Sequence, residues 1–424
     1  MTSSVLTRAL TQDWTFAQAN TKEGTHVIHT YPAMMIPQVA RGLITLLQDL
    51  LPNGHTLLDP FSGSGTVLVE GMRSGLACWG NDLNPLAQLI ARARTTVVPE
   101  PLCQQFLSDL PLLMESTQTL ADDPHLVLPQ FVGRDFWFRL SVTRHLSALQ
   151  QILRDYLRAV PVLDALLWAT FSETIRLCSN TRSSEFKLYR IPAAKLATWN
   201  PSVEETFTRL SVRYIQGLLE YRQTLTDGHV TLIQEDTRHL SAVPTGSIDF
   251  VVTSPPYGDS HTTVAYGQFS RLALEWLGFA PENARRVDQT LLGGQRRDSG
   301  IPESPCLDHA LQAIRAIHPE RAQEVAGFYA DLTEALHRIT RTLHPGSLAA
   351  WVVANRTVKG VTLPTHAILA ELAEAQGYEL LPSISRNIPN KRMPRENSPS
   401  NIVGRKMQTM TQEHLVLLRY RGVR

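Results

Sequence analysis

Residues 55–73 limit the folds open to this chain more than any other segment, because a short apolar strand (55–61) is followed at once by a glycine-rich turn and a helix. A second strand is predicted at 76–81, and a further helix begins near Pro85, a residue suited to the first helical turn. Strands that alternate with helices at this spacing favour a parallel sheet. The sequence therefore predicts an α/β fold with helices on both faces of one sheet.

Two insertions interrupt this alternation. Residues 99–228 have a mainly helical pattern and are predicted as an inserted target-recognition region between an N-terminal part of the main domain (1–98) and a C-terminal part (229–424). A second insertion, at about 280–320, contains Gly293-Gly294 and is predicted as a loop. The remaining predicted elements are strands at 229–234, 248–253, 348–354, 378–385 and 413–420 and helices at 35–51, 267–277, 323–343 and 364–376.

The overall charge narrows the class of protein. The 424 residues include 19% charged and 43% hydrophobic residues, which is ordinary for a globular protein, and the net charge is +1. A chain of this length has room for a large core and for more than one domain. Because the chain is not strongly basic as a whole, any contact with nucleic acid must come from local basic patches.

Cysteine usage and the N-terminal sequence predict a cytoplasmic protein. The four cysteines, at positions 78, 103, 178 and 306, lie far apart and form no C-x-x-C pair, which argues against a zinc site and against a disulfide framework. No metal is predicted. The N-terminus lacks the apolar segment of a signal peptide, and no stretch of about 18 apolar residues predicts a membrane span.

The glycine-rich turn, Asp59–Thr66, is suited to hold a ligand at the tip of the first strand. Glycines let the backbone approach a ligand closely, and the following helix offers free N–H groups. The turn lacks the G-x-G-x-x-G spacing of a dinucleotide site and the lysine of a P-loop. Asp82, at the tip of the second strand, can accept hydrogen bonds from both hydroxyls of a ribose, so the two features together predict a nucleoside-type cofactor. Asp236, just past the strand at 229–234, is either a helix cap or solvated turn acid, or an acceptor for the exocyclic amine of an adenine ring.

The strand at 248–253 ends in an unusual turn, Thr253–Tyr257, with the sequence TSPPY. The two prolines restrict φ and remove two backbone donors, while their carbonyls remain free to accept hydrogen bonds. With a serine hydroxyl before them and a tyrosine ring after them, the turn suits a flat heterocycle that carries an exocyclic amine. The alternative interpretation is a rigid strand-end turn with no chemical role.

Together, Asp59–Thr66 and Thr253–Tyr257 resemble the motifs of the S-adenosylmethionine-dependent DNA amino-methyltransferases. The segment His29–Ala33 resembles the part of that family that packs on the methionine end of the cofactor. Serine at position 254 is typical of the cytosine-N4 type, whereas the adenine-N6 enzymes usually carry Asp or Asn there. The resemblance implies a Rossmann-like methyltransferase sheet with a mainly helical inserted domain, S-adenosylmethionine as the cofactor and double-stranded DNA as the substrate.

The resemblance also implies roles for individual residues. The catalytic residues implied are Ser254, Pro255, Pro256 and Tyr257. The cofactor-binding residues implied are His29, Tyr31, Pro32, Ala33, Asp59, Pro60, Phe61, Gly63, Ser64, Gly65, Thr66, Asp82, Leu83, Asp236 and Thr237. The expected reaction is methyl transfer to N4 of a flipped cytosine. The alternatives are transfer to adenine N6 or to an RNA base, and a DNA-binding module without catalysis. A cognate restriction endonuclease is a candidate partner.

Local basic patches predict where DNA would bind. The stretch from Arg386 to the C-terminus holds nine basic residues against two acidic ones, and its irregular, proline-punctuated part could place lysine and arginine on phosphates. Residues 182–195 and the Arg296-Arg297 pair form two further patches. A solvated basic loop is the alternative interpretation of such a stretch. The candidate DNA-binding residues are Arg182, Lys187, Arg190, Arg296, Arg297, Lys391 and Arg392.

Overall fold

The computed structural model of the protein describes residues 2–182, 185–258, 264–293, 300–388, 396–397, 407–408 and 411–422. Its strands are β1 (Thr56–Asp59), β2 (Ala77–Asn81), β3 (His229–Ile233), β4 (Ile248–Thr253), β5 (Leu343–Val353), β6 (Arg356–Val358), β7 (Val361–Leu363), β8 (Tyr378–Leu380), β9 (Ile384–Asn387), β10 (Glu396–Asn397), β11 (Met407–Gln408) and β12 (Gln412–Tyr420). Its helices are α1 (Thr2–Thr11), α2 (Pro37–Leu50), α3 (Thr66–Arg73), α4 (Pro85–Thr95), α5 (Glu100–Ala121), α6 (Arg134–Trp137), α7 (Leu140–Ala159), α8 (Asp164–Cys178), α9 (Ala193–Leu196), α10 (Val203–Arg222), α11 (Tyr266–Trp276), α12 (Pro281–Thr290), α13 (Pro305–Ile317), α14 (Pro319–Thr342) and α15 (Thr365–Glu374).

The main sheet of the described chain has the strand order β3-β2-β1-β4-β5-β12-β8, and β9 also pairs with β12. The first five strands of this order are parallel, and β12 runs antiparallel to β5. In the register, Leu58 of β1 lies beside Val251 of β4. This arrangement confirms the predicted α/β class with a Rossmann-like methyltransferase sheet.

Both faces of the sheet are buried, as the apolar character of its strands requires. Leu57 of β1 and Phe250 of β4 pack on one side against α2 and α3, while Leu58 and Val251 pack on the other side against α13, α14 and α15. Successive strand residues therefore enter opposite cores. Each such side chain contributes roughly 1.5–3 kcal/mol when it leaves water completely.

The chain between β2 and β3 is helical, as predicted. Helices α5, α7, α8 and α10 share one core with α4 and α11, and this core includes Leu146, Phe207 and Trp276. The insertion therefore packs against two helices of the sheet domain. The division at residues 99 and 228 stays a prediction. In the described part of the chain, no helix combines the length and the apolar character needed to cross a membrane.

The expectation of a loop at about 280–320 is wrong for the described residues, which contain α12 and α13. Ser304 caps α13 by accepting a hydrogen bond from Leu307 N at 3.1 Å, and Pro305 occupies the first turn. The apolar face of α13, with Leu307, Leu311 and Ile314, is buried. The glycine pair dominated the sequence pattern, but a cap followed by apolar residues at helical spacing determines the structure here.

The single strand expected at 378–385 is two strands, β8 and β9. Pro382 lies between them. Because proline has no N–H to donate, it interrupts the ladder at that point.

The strand order reverses between β1 and β4, which are neighbours in the sheet. In open α/β sheets, ligands bind in the crevice outside the carboxyl ends of the strands at such a reversal. The Asp59–Thr66 turn follows β1, and the turn that contains Ser254 follows β4. Thr253 Oγ1 donates a hydrogen bond to Asp59 Oδ1 at 2.6 Å, so the tips of the two strands are directly linked.

Candidate active site

A cavity opens at the carboxyl ends of β1, β2 and β4. Its empty volume, including the part open to solvent, is about 890 Å³. The sequence-predicted residues that line it are Tyr31, Pro32, Ala33, Asp59, Pro60, Phe61, Gly63, Ser64, Thr66, Asp82, Leu83, Asp236, Thr237, Ser254 and Pro256. The two motifs, remote in sequence, therefore share one cavity.

Of the two glycines in the glycine turn, Gly63 lines the cavity and Gly65 does not. Gly63 has a φ of 48° and donates its N–H to Asp82 Oδ2 at 2.9 Å. Gly65 has a φ of 82° and precedes α3, and a Cβ at this position would lie 2.9 Å from the Cβ of Ala91 on α4. Gly65 was predicted to bind the cofactor, but it faces α4 and allows close helix packing.

Asp82 presents a carboxyl group to the cavity from the end of β2. It accepts hydrogen bonds from the backbone N–H groups of Gly63 and Asn84, at 2.9 and 2.8 Å. Burial raises the pKa of Asp82 to about 6, although these two hydrogen bonds favour its charged form. A carboxyl at this place can accept the hydroxyls of a ribose, as the sequence predicts.

Asp59 lies deeper, at the end of β1. It accepts hydrogen bonds from Thr253 Oγ1 at 2.6 Å and from Phe61 N at 3.2 Å. Burial, with a smaller contribution from the nearby charge of Asp82, raises its pKa to about 7 against the effect of the two hydrogen bonds. A cationic group bound in the cavity would lower the pKa of both carboxyls, since an opposite charge favours the ionised form.

Asp236 lines the cavity but is already part of an ion pair. Arg238 contacts both of its oxygens, with Nε 2.9 Å from Oδ1 and Nη2 2.5 Å from Oδ2, and also reaches Asp331 at 2.9 Å. Burial raises the pKa of Asp236, but hydrogen bonds and charge from Arg238 more than offset this and hold it below its ordinary value. A carboxylate in such a pair keeps lone pairs for a further donor. Its role as an acceptor for adenine stays a prediction.

His29 lies outside the lining of this cavity, although it was predicted to bind the cofactor. It is buried with a φ of 58°, and its Nδ1 lies 2.6 Å from Thr30 O and 3.2 Å from Glu173 Oε2. Burial lowers its pKa to about 4, so the ring is neutral at pH 7. The His29 ring packs edge-on against Phe269, with the centroids 6.2 Å apart, and Phe269 also contacts Tyr31, which does line the cavity.

The predicted catalytic residues divide into two pairs. Ser254 and Pro256 line the cavity, whereas Pro255 and Tyr257 are not part of its lining. The ring of Tyr257, predicted to stack on a base, packs instead against the core that contains Trp351. Its hydroxyl lies 3.2 Å from Ser254 Oγ. Base stacking by Tyr257 therefore has no support from the lining of the cavity.

The cavity also has walls that sequence analysis missed. They are Met34, Met35, Ser62, Val67, Asn84, Tyr266, Thr290, Leu291 and Leu292. The rings of Tyr31 and Tyr266 stack with their centroids 5.8 Å apart. Asn84 Nδ2 donates to Tyr31 Oη at 3.0 Å. Tyr266 is the first residue of α11, which follows the turn that contains Ser254, and this position is the only sequence signal that could have revealed it.

The predicted DNA-contacting segment after α8 lies beside this cavity. The ring of Phe186 is 5.9 Å from that of Phe269 on α11, which in turn is 5.8 Å from Tyr31. Arg182, Lys187 and Arg190 are exposed on the segment. Arg182 pairs with Glu185 at 3.2 Å, and the guanidinium of Arg190 lies 4.2 Å from the centre of the Phe136 ring.

The structure does not place the remaining predicted DNA-binding residues on a described surface. Arg296, Arg297, Lys391 and Arg392 lie outside the described residues. Arg386, which was counted as part of the basic C-terminal stretch, is buried and pairs with Glu413 at 2.7 Å. The Arg386 guanidinium is therefore neutralised by Glu413 inside the protein and cannot contact DNA.

Comparison with known proteins identifies the family. A family model described as D12 class N6 adenine-specific DNA methyltransferase matches residues 41–128, which contain the glycine turn and Asp82 but end before Ser254. The chain is 40% identical over 423 residues to the Type II methyltransferase M.MvaI of Kocuria varians, covering 95% of this chain and 93% of that protein. The Type II methyltransferase M.MjaII of Methanocaldococcus jannaschii is 33% identical over 117 residues, which are 26% of this chain and 22% of that protein.

Among solved structures, the rRNA methyltransferase aviRa from Streptomyces viridochromogenes covers 92% of this chain and 89% of its own, with 11% identity and a TM-score of 0.33. A similarity this low has no bearing on the substrate. The match to M.MvaI, by contrast, extends over nearly the whole of both chains. The chain therefore belongs to the Type II methyltransferases, a family of DNA methyltransferases that use S-adenosylmethionine.

Proposed function

We propose that this protein transfers a methyl group from S-adenosylmethionine to the N4 amine of a cytosine that has been flipped out of double-stranded DNA at a specific sequence. The observation that carries the proposal is that Ser254 and the glycine turn line one cavity. At the position proposed to bind the target amine, this chain has the hydroxyl of Ser254, whereas the adenine-N6 enzymes usually have a carboxylate or an amide. The family resemblance of the TSPPY sequence supports cytosine N4 over adenine N6.

The residues of the cavity suit S-adenosylmethionine, which supplies the electrophilic methyl group. Asp59 and Asp82 are acidic groups that complement its positive charges, and Asp82 is placed to accept its ribose hydroxyls. Ser62 Oγ, which belongs to the cavity wall, is buried without a hydrogen-bond partner among the described residues and can bond to a bound ligand. The stacked rings of Tyr31 and Tyr266 add an apolar side.

Ser254, which lines the cavity, would bind the amine of the target base. The carbonyl of Pro255, the next residue of the turn but not itself part of the lining, would be the second acceptor. The N4 lone pair of cytosine is delocalised into the ring and is a poor nucleophile. Two hydrogen bonds donated by the amine to Ser254 Oγ and Pro255 O would draw the nitrogen toward a tetrahedral shape, and its lone pair could then point at the methyl group. The protein mainly positions the reactants, because the cofactor carries the reactive group.

A base inside a duplex cannot reach this cavity, so the target must leave the base stack at a cost of a few kcal/mol. Lys187 and Arg190 are exposed on the segment that packs on α11, next to Tyr31. Contacts from these cations to phosphates would hold the duplex in place while the base is extruded. The region between β2 and β3 is therefore the proposed target-recognition region.

Transfer to adenine N6 is the second candidate, and the D12 family match favours it. That match covers only the half of the site that holds the cofactor. The target amine is bound by the other half, which contains Ser254. We therefore retain cytosine N4 as the first choice.

The test is transfer of a labelled methyl group to DNA and, separately, to RNA, followed by nucleoside analysis of the product. N4-methylcytosine in DNA is the expected product, and N6-methyladenine or labelled RNA would overturn the proposal. Ser254→Ala should abolish transfer while it leaves the affinity for S-adenosylmethionine close to that of the wild type. Single-molecule sequencing of DNA from cells that express the protein would report the recognition sequence.

A cytoplasmic location and a cognate restriction endonuclease complete the proposal. Methylation by this protein should protect its recognition sequence from an endonuclease that cuts the same sequence. Cleavage of DNA isolated with and without expression of the protein measures that protection.

A further inference from the structure

A line of hydrogen bonds leads from the catalytic turn to the last strand of the sheet. Ser254 Oγ is 3.2 Å from Tyr257 Oη, and Tyr257 Oη is 3.2 Å from Glu413 Oε1. The other carboxylate oxygen, Glu413 Oε2, accepts from Arg386 Nη1 at 2.7 Å. Apart from Ser254 itself, none of these side chains lines the cofactor cavity.

The sheet explains why Glu413 reaches the active-site edge. Strand β12 is antiparallel to β5, so its first residues lie at the carboxyl end of β5, where His414 pairs with Val353. Arg386 on β9 lies directly opposite Glu413. Opposite charges at directly opposed positions of neighbouring strands attract each other, and this pair is largely removed from solvent.

The direction of each hydrogen bond follows from the donors available. Burial raises the pKa of Glu413, and the ion pair and hydrogen bond with Arg386 oppose this rise and favour the charged form. Arginine can only donate, and the carboxylate of Glu413 that Arg386 holds in place can only accept. Tyr257 must therefore donate its proton to Glu413, and burial keeps that proton in place by raising the pKa of Tyr257 well above its ordinary value. Because its single proton is already donated to Glu413, Tyr257 can only accept in its hydrogen bond with Ser254. As a result, the proton of Ser254 points away from the cavity, and the lone pairs of Ser254 Oγ remain for the target amine.

We propose that Glu413 is a positioning residue for methyl transfer, which acts through Tyr257 to hold Ser254 as a hydrogen-bond acceptor. A free serine hydroxyl can donate or accept, whereas the proposed reaction needs only an acceptor. The line from Arg386 to Ser254 removes this ambiguity. The inference rests on the proposed amino-methyl transfer, but it holds for a cytosine or an adenine amine alike.

Glu413→Gln is the informative change, because glutamine has nearly the same shape. Its Oε1 must face Arg386, since arginine offers only donors, and its Nε2 group then donates to Tyr257. Tyr257 in turn donates to Ser254, and the Ser254 proton is directed into the cavity toward the amine hydrogens. We expect kcat to fall about 10- to 100-fold, the effect of losing a hydrogen bond of this strength, with the affinities for S-adenosylmethionine and DNA unchanged.

Tyr257→Phe is the matched control, because it keeps the aromatic ring and removes the hydroxyl that links Ser254 to Glu413. Ser254 is then free to turn, so kcat should fall less than in Glu413→Gln. In the double variant, Glu413 no longer has a path to Ser254, and kcat should return to the value of Tyr257→Phe alone. A merely structural role for Glu413 would instead make the two losses multiply.

A second measurement does not need activity. Unfolding of the wild type, the two single variants and the double variant gives the coupling between Tyr257 and Glu413, which should differ from zero. The inference is overturned if this coupling is zero, if Glu413→Gln keeps the kcat of the wild type, or if the losses multiply in the double variant. The identity of the methylated nucleoside in the wild type tests the proposed function separately.

Discussion

Arg94→Met should weaken both the fold and the cofactor site, because Arg94 joins two walls of the cavity. This residue of α4 is 1% exposed. Its guanidinium donates to the carbonyls of Ile28 and His29, at 2.7 and 3.1 Å, and to the carbonyl and hydroxyl of Ser64, at 3.1 and 2.9 Å. It thus ties the chain just before Tyr31 to the glycine turn.

The size of the effect can be worked out from these contacts. Three carbonyls lose a charged donor in Arg94→Met, at about 2 kcal/mol each, or about 6 kcal/mol together. Burial of the cation, which lowers the pKa of Arg94 from 12.5 to about 10, opposes folding by about 3 kcal/mol, and the variant recovers this amount. We therefore expect a net loss of about 3 kcal/mol in the free energy of unfolding.

Urea unfolding and calorimetric titration with S-adenosylmethionine measure the two consequences. If half of the loss falls on the geometry of the cavity, cofactor affinity drops about tenfold. Arg92→Met is the control, because Arg92 lies on the same helix but is exposed. If Arg94→Met has the same free energy of unfolding and the same affinity for S-adenosylmethionine as Arg92→Met, Arg94 does not join the two walls and the reasoning is wrong.

Three further predictions concern the acids of the cavity and the DNA surface. The affinity for S-adenosylmethionine should rise as pH increases through about 6, where Asp82 ionises, and Asp82→Asn should remove this dependence in calorimetric titrations. The buried Asp59, whose pKa is raised from 3.8 to about 7, lowers stability progressively as pH rises between these values. Asp59→Asn should abolish the part of that loss, about 3 kcal/mol, that falls between unfolding measured at pH 5 and at pH 8. Arg190→Met should reduce the slope of log K for DNA binding against log salt concentration by about one, and an unchanged slope would exclude a phosphate contact.

Sequence alone predicted the sheet domain well because its signals are local. The strand, glycine turn and helix of residues 55–73 follow one another without interruption, and so do the strand and turn that contain Ser254. Each short apolar strand had to be buried on both faces, which leaves few arrangements other than a parallel sheet. Since parallel strands end at the same edge, the two turns could be expected to meet.

The regions where prediction failed depend on contacts between distant parts of the chain. The segment expected as a loop at about 280–320 contains α12 and α13, and the apolar face of α13 is buried against α14, α15 and β7. The cofactor contacts of Gly65 and His29 stay predictions, but the motifs did not reveal their surroundings: Gly65 allows close packing of α4, and His29 is a buried neutral histidine. Short motifs indicate which segment forms a site, but they do not show which side of the segment each residue faces.

Arg386 and Glu413 illustrate this limit most clearly. In sequence, Arg386 begins a basic stretch and Glu413 is one of its two acids, so the pattern suggests a surface for DNA. The antiparallel register of β9 and β12 places the two side chains opposite each other and buries their charges, so neither is available to phosphate. The same register brings the carboxylate to Tyr257, which is 156 residues away along the chain. The composition of the C-terminal stretch therefore suggests DNA binding, but the ion pair of Arg386 and Glu413 lies in the interior. There it can determine on which side Ser254 accepts a hydrogen bond.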